Sequence, residues 1–368
     1  MQPDSLYIGI MSGTSLDGAD AVLCRISDDG KPSFVARHHE PFGPAIRQQI
    51  LDLNTSLHDE LHLAALTANT LAKTYATCVS GLLQNSNVNV DKVRAIGVHG
   101  QTVRHQPALG YTIQINSPAL LAELTGIDVI GDFRSRDIAA GGQGAPLVPA
   151  FHAEVFKGPG TRVILNLGGI ANVTILRENG EVVGFDTGPA NMLMDAWCER
   201  HTGLPFDEDG KWGASGQVNL PLLEKLLTSQ PWFDQPAPKS TGRDMFNMPW
   251  LESILSQFPD TLLPADVQAT LQHLTALSVL TALERAGVSS PDLFVCGGGA
   301  RNSAVMQLLR ELGATSAKAT DVLGIPAQDV EAVAFAWLAW AFVQRRPANL
   351  PQVTGARAER ILGALWPA

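Results

Sequence analysis

The sequence predicts a two-domain α/β protein, and three observations carry that prediction. Strand-like apolar runs alternate with Ala/Leu-rich stretches of helical spacing, the pattern of a layered α/β architecture. The opening pattern of apolar run, glycine-rich polar tip and second apolar run recurs after Arg162 as RVILNLGGIANVTIL. The chain has 368 residues, enough for two units of ordinary domain size. The recurrence puts a border near Gly142–Gly160, giving domains 1–150 and 151–368.

Composition narrows the function classes. A chain 45% hydrophobic and 17% charged has the makings of a substantial core. A formal charge of −10 argues against general nucleic-acid binding, which needs a basic footprint, but leaves room for a nucleotide held by backbone N–H groups. Cys24, Cys78, Cys198 and Cys296 have no paired spacing and read as buried free thiols in a reducing compartment. MQPDSLYIGI lacks the features of a signal peptide. The apolar run AVAFAWLAWAFV, twelve residues long, is too short for a bilayer and reads as a buried helix. A cytoplasmic protein with no membrane partner is expected.

The elements follow in order. Leu6–Ile10 and Ala21–Ile26 read as neighbouring strands, with SFVARH as a third. His58 to Leu83 carries Leu61, Ala64, Leu71, Ala72, Tyr75, Val79 and Leu82 at helical spacing. VRAIGV then leads to a loop, HGQTVRHQP, and a strand, YTIQI. A short helix at PALLAELTG precedes IDVI and the turn GDFRSRD. In the second half RVILNL, ANVTIL and VVGFD are strands, and Leu204–Pro249 is a polar insertion without clear periodicity. Leu271, Leu274, Leu277, Leu280 and Leu283 form a helical stripe ended by Gly287. LFVC is a strand feeding GGGARN and the amphipathic helix AVMQLLREL. The last helix, from about Asp329 to Val343, has acidic residues in its first turn, where the helix dipole favours them.

The tips carry the candidate chemistry. SGTSLDGAD is longer than a hairpin turn requires. Hydroxyls and amides of Ser12, Thr14 and Ser15, with the freedom of Gly13 and Gly18, suit phosphate oxygens. Asp17 repels phosphate directly and makes sense as a ligand of Mg²⁺ or its waters. An Asx-type turn is the plain alternative. GGIAN occupies the matching place in the second cluster, so two glycine tips facing one another across a cleft are expected to clasp a triphosphate. Asp186 ends a strand in GFDTGP, where it suits a general base, or a cap for the helix at ANMLMDAW. His99 and Gln101 lie in HGQTVRH, and Asp132 and Arg134 in GDFRSRD, where either a surface charge cluster or a carboxylate-binding arginine fits. Asp329 suits a helix cap; Glu331, two residues on, is less easily explained that way.

Taken together, MSGTSLDGAD, AIGVHGQTVRH, GDFRSRDIAAGGQGAPLVP, LNLGGIANVT, GFDTGPAN, CGGGARN and GIPAQDVEA resemble, almost end to end, the bacterial anhydro-N-acetylmuramic acid kinases. The wider resemblance is to the sugar kinase, Hsp70 and actin superfamily. It implies two actin-like domains, each on a five-stranded mixed sheet flanked by helices, with nucleotide in the cleft. The implied reaction turns 1,6-anhydro-N-acetylmuramic acid, ATP and water into N-acetylmuramic acid 6-phosphate and ADP, in peptidoglycan recycling. Mg²⁺ is the implied metal, and a homodimer is compatible with the resemblance. By resemblance, Ser12, Gly13, Thr14, Ser15, Leu16, Asp17, Gly18, Ala19 and Asp20 form the first phosphate loop, with Asp17 near the metal. Gly168 and Gly169 are the second phosphate element, and Gly297, Gly298, Gly299 and Asn302 the adenosine-side loop. Asp186 is the implied base; His99, Gln101, Asp132, Arg134 and Glu331 are candidates for the sugar. An ordinary sugar kinase, a chaperone or filament protein, and a non-catalytic nucleotide binder are the rivals.

Overall fold

A computed structural model describes residues 5–13, 15–55, 58–259 and 262–368. In chain order the strands are β1 (Ser5–Met11), β2 (Gly18–Ile26), β3 (Pro32–Pro41), β4 (Val93–Val98), β5 (Gln101–Gln106), β6 (Tyr111–Ile115) and β7 (Val129–Gly131). They continue as β8 (Arg162–Leu167), β9 (Ile170–Leu176), β10 (Val182–Pro189), β11 (Asp292–Cys296), β12 (Ser316–Ala319) and β13 (Ala364–Trp366). The chain divides into two compact units, Met1–Phe156 with Asp329–Ala368, and Lys157–Gln328.

That division differs from the expected 1–150 and 151–368, because the last forty residues return to the first unit. Two glycines explain the return. Gly9 on β1 and Gly97 on β4 are partners in a parallel pair. A β-carbon at Gly9 would lie 1.9 Å from the Ala332 carbonyl, and one at Gly97 would lie 2.0 Å from that of Phe335. The backbone of the helix Val330–Val343 therefore rests directly on the sheet, and its side chains from Ala332 to Ala341 are all buried. The apolar run signalled a buried helix; nothing in its composition says which sheet it covers.

In the first unit the sheet runs β13-β7-β4-β1-β2-β3, with β1–β4–β7 parallel and both ends antiparallel. It has six strands rather than the expected five, since β13 adds to the edge at β7. Ile8, Ile10, Ala21 and Leu23 pack with Leu71, Tyr75, Val79 and Leu82 of the helix Glu60–Ser86 in one core. HGQTVRHQP, expected as a loop, instead contains β5, which pairs with β6 in a separate two-stranded ribbon. A bulge between Thr102 and Arg104 breaks the alternation that would have marked the strand.

In the second unit the sheet runs β10-β9-β8-β11-β12, antiparallel through β8–β10 and parallel through β8, β11 and β12. Its core joins the strands to the helices Asn191–Thr202, Leu220–Thr228, Met248–Leu255, Pro264–Arg285 and Ser303–Glu311. The insertion is partly core. Trp232, Phe233 and Phe246 are buried, with Trp232 and Phe246 edge to face at 5.7 Å. The four cysteines are buried, and none forms a disulfide. Among the described residues no helix is long and apolar enough to cross a membrane.

Candidate active site

In the second unit Asp186 sits on β10 opposite Asn172 on β9, which is in turn opposite Asn166 on β8. Paired positions share a sheet face, so three polar side chains form a row across otherwise apolar strands. The β10 ladder shifts register just after Asp186, where Thr187 bulges and gives its hydroxyl to the Ala171 carbonyl at 3.3 Å. The insertion completes the surroundings. Thr241 N–H donates to Asp186 Oδ2 at 2.9 Å, and Asp186 N–H donates to the Lys239 carbonyl at 3.0 Å. Burial pushes the Asp186 carboxyl up to about 6, against the opposing pull of the Thr241 N–H and the Lys239 charge. Lys239 Nζ is itself anchored on the carbonyls of Trp232 and Phe233, at 3.3 and 3.0 Å, and over the Trp232 ring at 4.2 Å. A carboxylate so placed is still ionised near neutrality yet more basic than an ordinary carboxylate, so it can take up a proton, the requirement of a general base.

Next to this row lie the glycine elements. The carbonyls of Gly168 and Gly169 accept from the N–H groups of Asn191 and Ala190, both at 3.0 Å, which ties the tip to the end of β10. A side chain at Gly168 would find only the Ile170 carbonyl at 3.5 Å and Asn166 Nδ2 at 3.9 Å, so that side of the tip is open. Gly297 follows β11 directly, its N–H donating to Ala327 and its carbonyl accepting from Gln328 Nε2 at 2.8 Å. Gly298 and Gly299 belong to the short turn Gly298–Arg301. Asn302 caps the helix Ser303–Glu311, its Oδ1 accepting from Val305 N–H at 3.1 Å. Asp209 from the insertion binds the Ser303 hydroxyl, and Gly210 lies against Asn302.

In the first unit the polar tip is narrower than expected. Thr14 lies outside the described residues. Gly18, Ala19 and Asp20 are ladder residues of β2 paired with β3; Ala19 is buried, and Asp20 accepts from His39 Nδ1 at 2.9 Å. Leu16 turns its buried side chain into the core at a positive φ of 57°. The Ser12 hydroxyl is enclosed, bonded to Tyr75 Oη at 2.8 Å and to the Gly100 carbonyl at 3.2 Å. That leaves Gly13, Ser15 and Asp17 at the tip, with Ser15 Oγ donating to Asp17 Oδ1 at 2.6 Å. Asp17 is exposed and has no ion pair among the described residues. One free carboxylate, completed by water and phosphate oxygens, is an ordinary donor set for Mg²⁺, so these residues fit that ion.

The sugar candidates fall into two groups. His99 Nδ1–H donates to the Gly100 carbonyl at 2.9 Å, and His99 Nε2 accepts from Arg134 Nε at 3.1 Å and Nη2 at 2.9 Å. Burial, with help from the Arg134 charge, lowers His99 to about 3, so it is a neutral acceptor. Arg134 Nη1 also donates to the Gly144 carbonyl at 2.7 Å. Glu331 is half-buried, and desolvation pushes its carboxyl upward, with Arg134 acting to lower it. Asp132, by contrast, is exposed and accepts from Ser135 N–H at 3.3 Å, a turn-stabilising contact outside this group. Asp137 is no part of a surface cluster: it is fully buried and accepts from Gly144 N–H, Asn349 Nδ2 and Thr354 Oγ1, fastening the C-terminal segment.

Asn166, Asn172, Lys239 and Thr241 escaped sequence reasoning. The two asparagines had a signal, each being a polar residue interrupting an apolar strand beside a glycine pair. Lys239 and Thr241 had none, since the insertion lacks periodicity and only folding brings them to Asp186.

A sequence model described as anhydro-N-acetylmuramic acid kinase matches residues 5–368. The chain is 57% identical to the anhydro-N-acetylmuramic acid kinase of Bordetella petrii, covering 100% of this chain and 97% of that one. It is 56% identical to that of Bordetella pertussis, again over 100% and 97%. With that of Chromobacterium violaceum it shares 54% identity over 98% of this chain and 99% of the other. Among solved structures, component A of the (R)-2-hydroxyglutaryl-CoA dehydratase of Acidaminococcus fermentans aligns with a TM-score of 0.49 and 16% identity, over 90% of this chain and 96% of that one.

Proposed function

We propose a residue-level mechanism on the premise that this chain belongs to the anhydro-N-acetylmuramic acid kinase family. It is a phosphotransferase of peptidoglycan recycling that converts 1,6-anhydro-N-acetylmuramic acid, ATP and water to N-acetylmuramic acid 6-phosphate and ADP. The substrate sets the problem. Its O6 is tied to C1 in an internal ether and carries no proton, so it cannot attack as a free hydroxyl.

Asp186 is assigned as the general base. It takes a proton from water as the water oxygen bonds to C1. The C1–O6 bond breaks with its electron pair on O6, and O6 bonds to the γ-phosphorus. The bond from phosphorus to the β,γ-bridging oxygen breaks in turn, leaving ADP. Phosphoryl capture takes up the charge that would otherwise build on O6, so no separate acid is needed. The observation that supports the assignment is the carboxyl pushed up to about 6 and held by Thr241 N–H at one oxygen.

Gly13 and Ser15 in the first unit, and Gly168 and Gly169 in the second, are assigned to the phosphates. Gly297–Asn302 is assigned to the adenosine side, where small residues let the nucleotide approach the backbone. Asp17 would hold Mg²⁺, directly or through water, and the bound ion supplies charge neutralisation at the phosphates. His99 positions Arg134, and Arg134 with Glu331 is assigned to the sugar. Asp186→Asn tests the central role. Losing a positioned base costs about 10²–10⁴ in rate, so kcat should fall by that factor while both KM values stay within about threefold. Retention of more than half the rate would remove Asp186 from the role.

A further inference from the structure

We propose that Gln101 Oε1 and Asn116 Oδ1 are the acceptors that read the two hydrogen donors of the anhydro-sugar. The proposal rests on the sugar-kinase reading above. Gln101 is 2% exposed and opens β5; its Nε2 donates to the Gly13 carbonyl at 3.4 Å, which fixes the carboxamide and leaves Oε1 on the other side. Asn116 directly follows β6, whose Ile115 is the ladder partner of Gln101. Gly100, at a φ of 77°, brings the two ends together: a β-carbon there would lie 3.2 Å from that of Asn116. Both oxygens are shut from solvent, and neither has a hydrogen-bond partner among the described residues.

A buried acceptor left unpaired is costly and in a native protein calls for an explanation. The neighbours do not supply one. Ser12 is engaged with Tyr75 and Gly100, and His99 with Gly100 and Arg134. Substrate chemistry does. In 1,6-anhydro-N-acetylmuramic acid the internal ether ties up O1 and O6, O3 carries the lactyl ether, and the carboxyl is ionised near neutrality. The donors that remain are the O4 hydroxyl and the acetamido N–H. Two donors meet two acceptors presented by one ribbon. A site that reads a donor this way rejects analogues lacking it, because the protein oxygen stays unpaired.

The test measures calorimetric Kd for the anhydro-sugar, KM for sugar and for ATP, and Tm, in unaltered protein, Asn116→Leu, Asn116→Asp and Gln101→Met. Asn116→Leu and Gln101→Met should each weaken sugar binding about 10–100-fold, and Asn116→Leu, which touches no phosphate residue, should leave KM for ATP within about twofold. Removing an orphaned oxygen should not lower Tm for Asn116→Leu, and Asn116→Asp, which keeps an acceptor, should recover most of the affinity. The 4-deoxy anhydro-sugar needs no variant: it should bind the unaltered protein about tenfold or more weakly, and lose little further on the variant whose oxygen reads O4–H. Sugar affinity within twofold in both Asn116→Leu and Gln101→Met would overturn the inference, as would full affinity for the 4-deoxy analogue. A fall in Tm with sugar and ATP KM rising together in Asn116→Leu would also overturn it, by making the residue structural. No turnover by the unaltered protein would instead overturn the reading beneath it, and this inference with it.

Discussion

Asp186 and Thr241 stand 55 residues apart in the chain and are joined by a 2.9 Å hydrogen bond from the Thr241 N–H to the carboxylate. A second bond, from Asp186 N–H to the Lys239 carbonyl at 3.0 Å, makes the contact two-sided. The insertion therefore encloses the proposed base, and enclosure is what raises its pKa.

The first consequence is a pH profile. Asp186 acts as a base only when ionised, so kcat should fall tenfold per unit as pH drops below about 6. Replacing Thr241 by Pro removes an N–H that favours the charged form, and the acid limb should move to higher pH. A rate flat from pH 7 to 5 would contradict the assignment. His99 adds no limb in this range, since it stays neutral above about 3.

The second consequence concerns stability. A carboxyl whose pKa is raised keeps its proton in the folded chain between roughly pH 4 and 6, where the unfolded chain has released it. Stability from this group is thus lost as pH rises through that window. Asp186→Asn, neutral throughout, should raise Tm at pH 7–8, and the gain should vanish below about pH 4. Thermal melts at several pH values check the sign.

A third prediction separates the two units. Gly9→Ala drives a methyl into the Ala332 carbonyl, 1.9 Å away, and the Ala336 N–H, 2.5 Å away. Overpacking of this kind costs about 1–3 kcal/mol, or roughly 2–12 °C for a unit of this size. Calorimetry should show one transition lowered, with the 157–328 unit unchanged.

The fourth concerns Arg134. His99→Phe keeps the ring beside Phe335, now 5.0 Å away, but removes the acceptor for two guanidinium N–H groups. Sugar KM should rise about 10–100-fold with little change in KM for ATP. Steady-state kinetics in each substrate decides.

The fifth concerns the metal. Chelation of Mg²⁺ should abolish turnover, and Asp17→Asn should raise the Mg²⁺ concentration for half-maximal rate about 10–100-fold. An unchanged Mg²⁺ requirement would remove Asp17 from that role.

How much of this was legible depends on how local each signal is. β1–β2 and β8–β9 were readable because apolar runs flank a glycine tip within some twenty residues. The helix Val330–Val343 was readable as buried, but its address depends on Gly9 and Gly97, hundreds of residues away. Strand β5 hid behind its bulge and its polar letters. Asp186 was legible as a carboxylate closing an apolar run, but not as a strand end: β10 continues past it to Pro189 because the ladder with β9 resumes after the bulge at Thr187. Lys239 and Thr241 were not legible, because a backbone N–H and carbonyl leave no trace in residue identity. Ser12 read as a phosphate donor by composition, and only packing shows its hydroxyl facing Tyr75.

The most direct measurement locates oxygen in the product. The protein, Mg²⁺, ATP and 1,6-anhydro-N-acetylmuramic acid are combined in ¹⁸O-enriched water, and the sugar phosphate is fragmented at once, before C1 exchanges with solvent. Label on the C1 hydroxyl, with O6 unlabelled in its bond to phosphorus, is the predicted result. A 6-phosphosugar with no prompt label at C1 would contradict water addition there and with it the work assigned to Asp186.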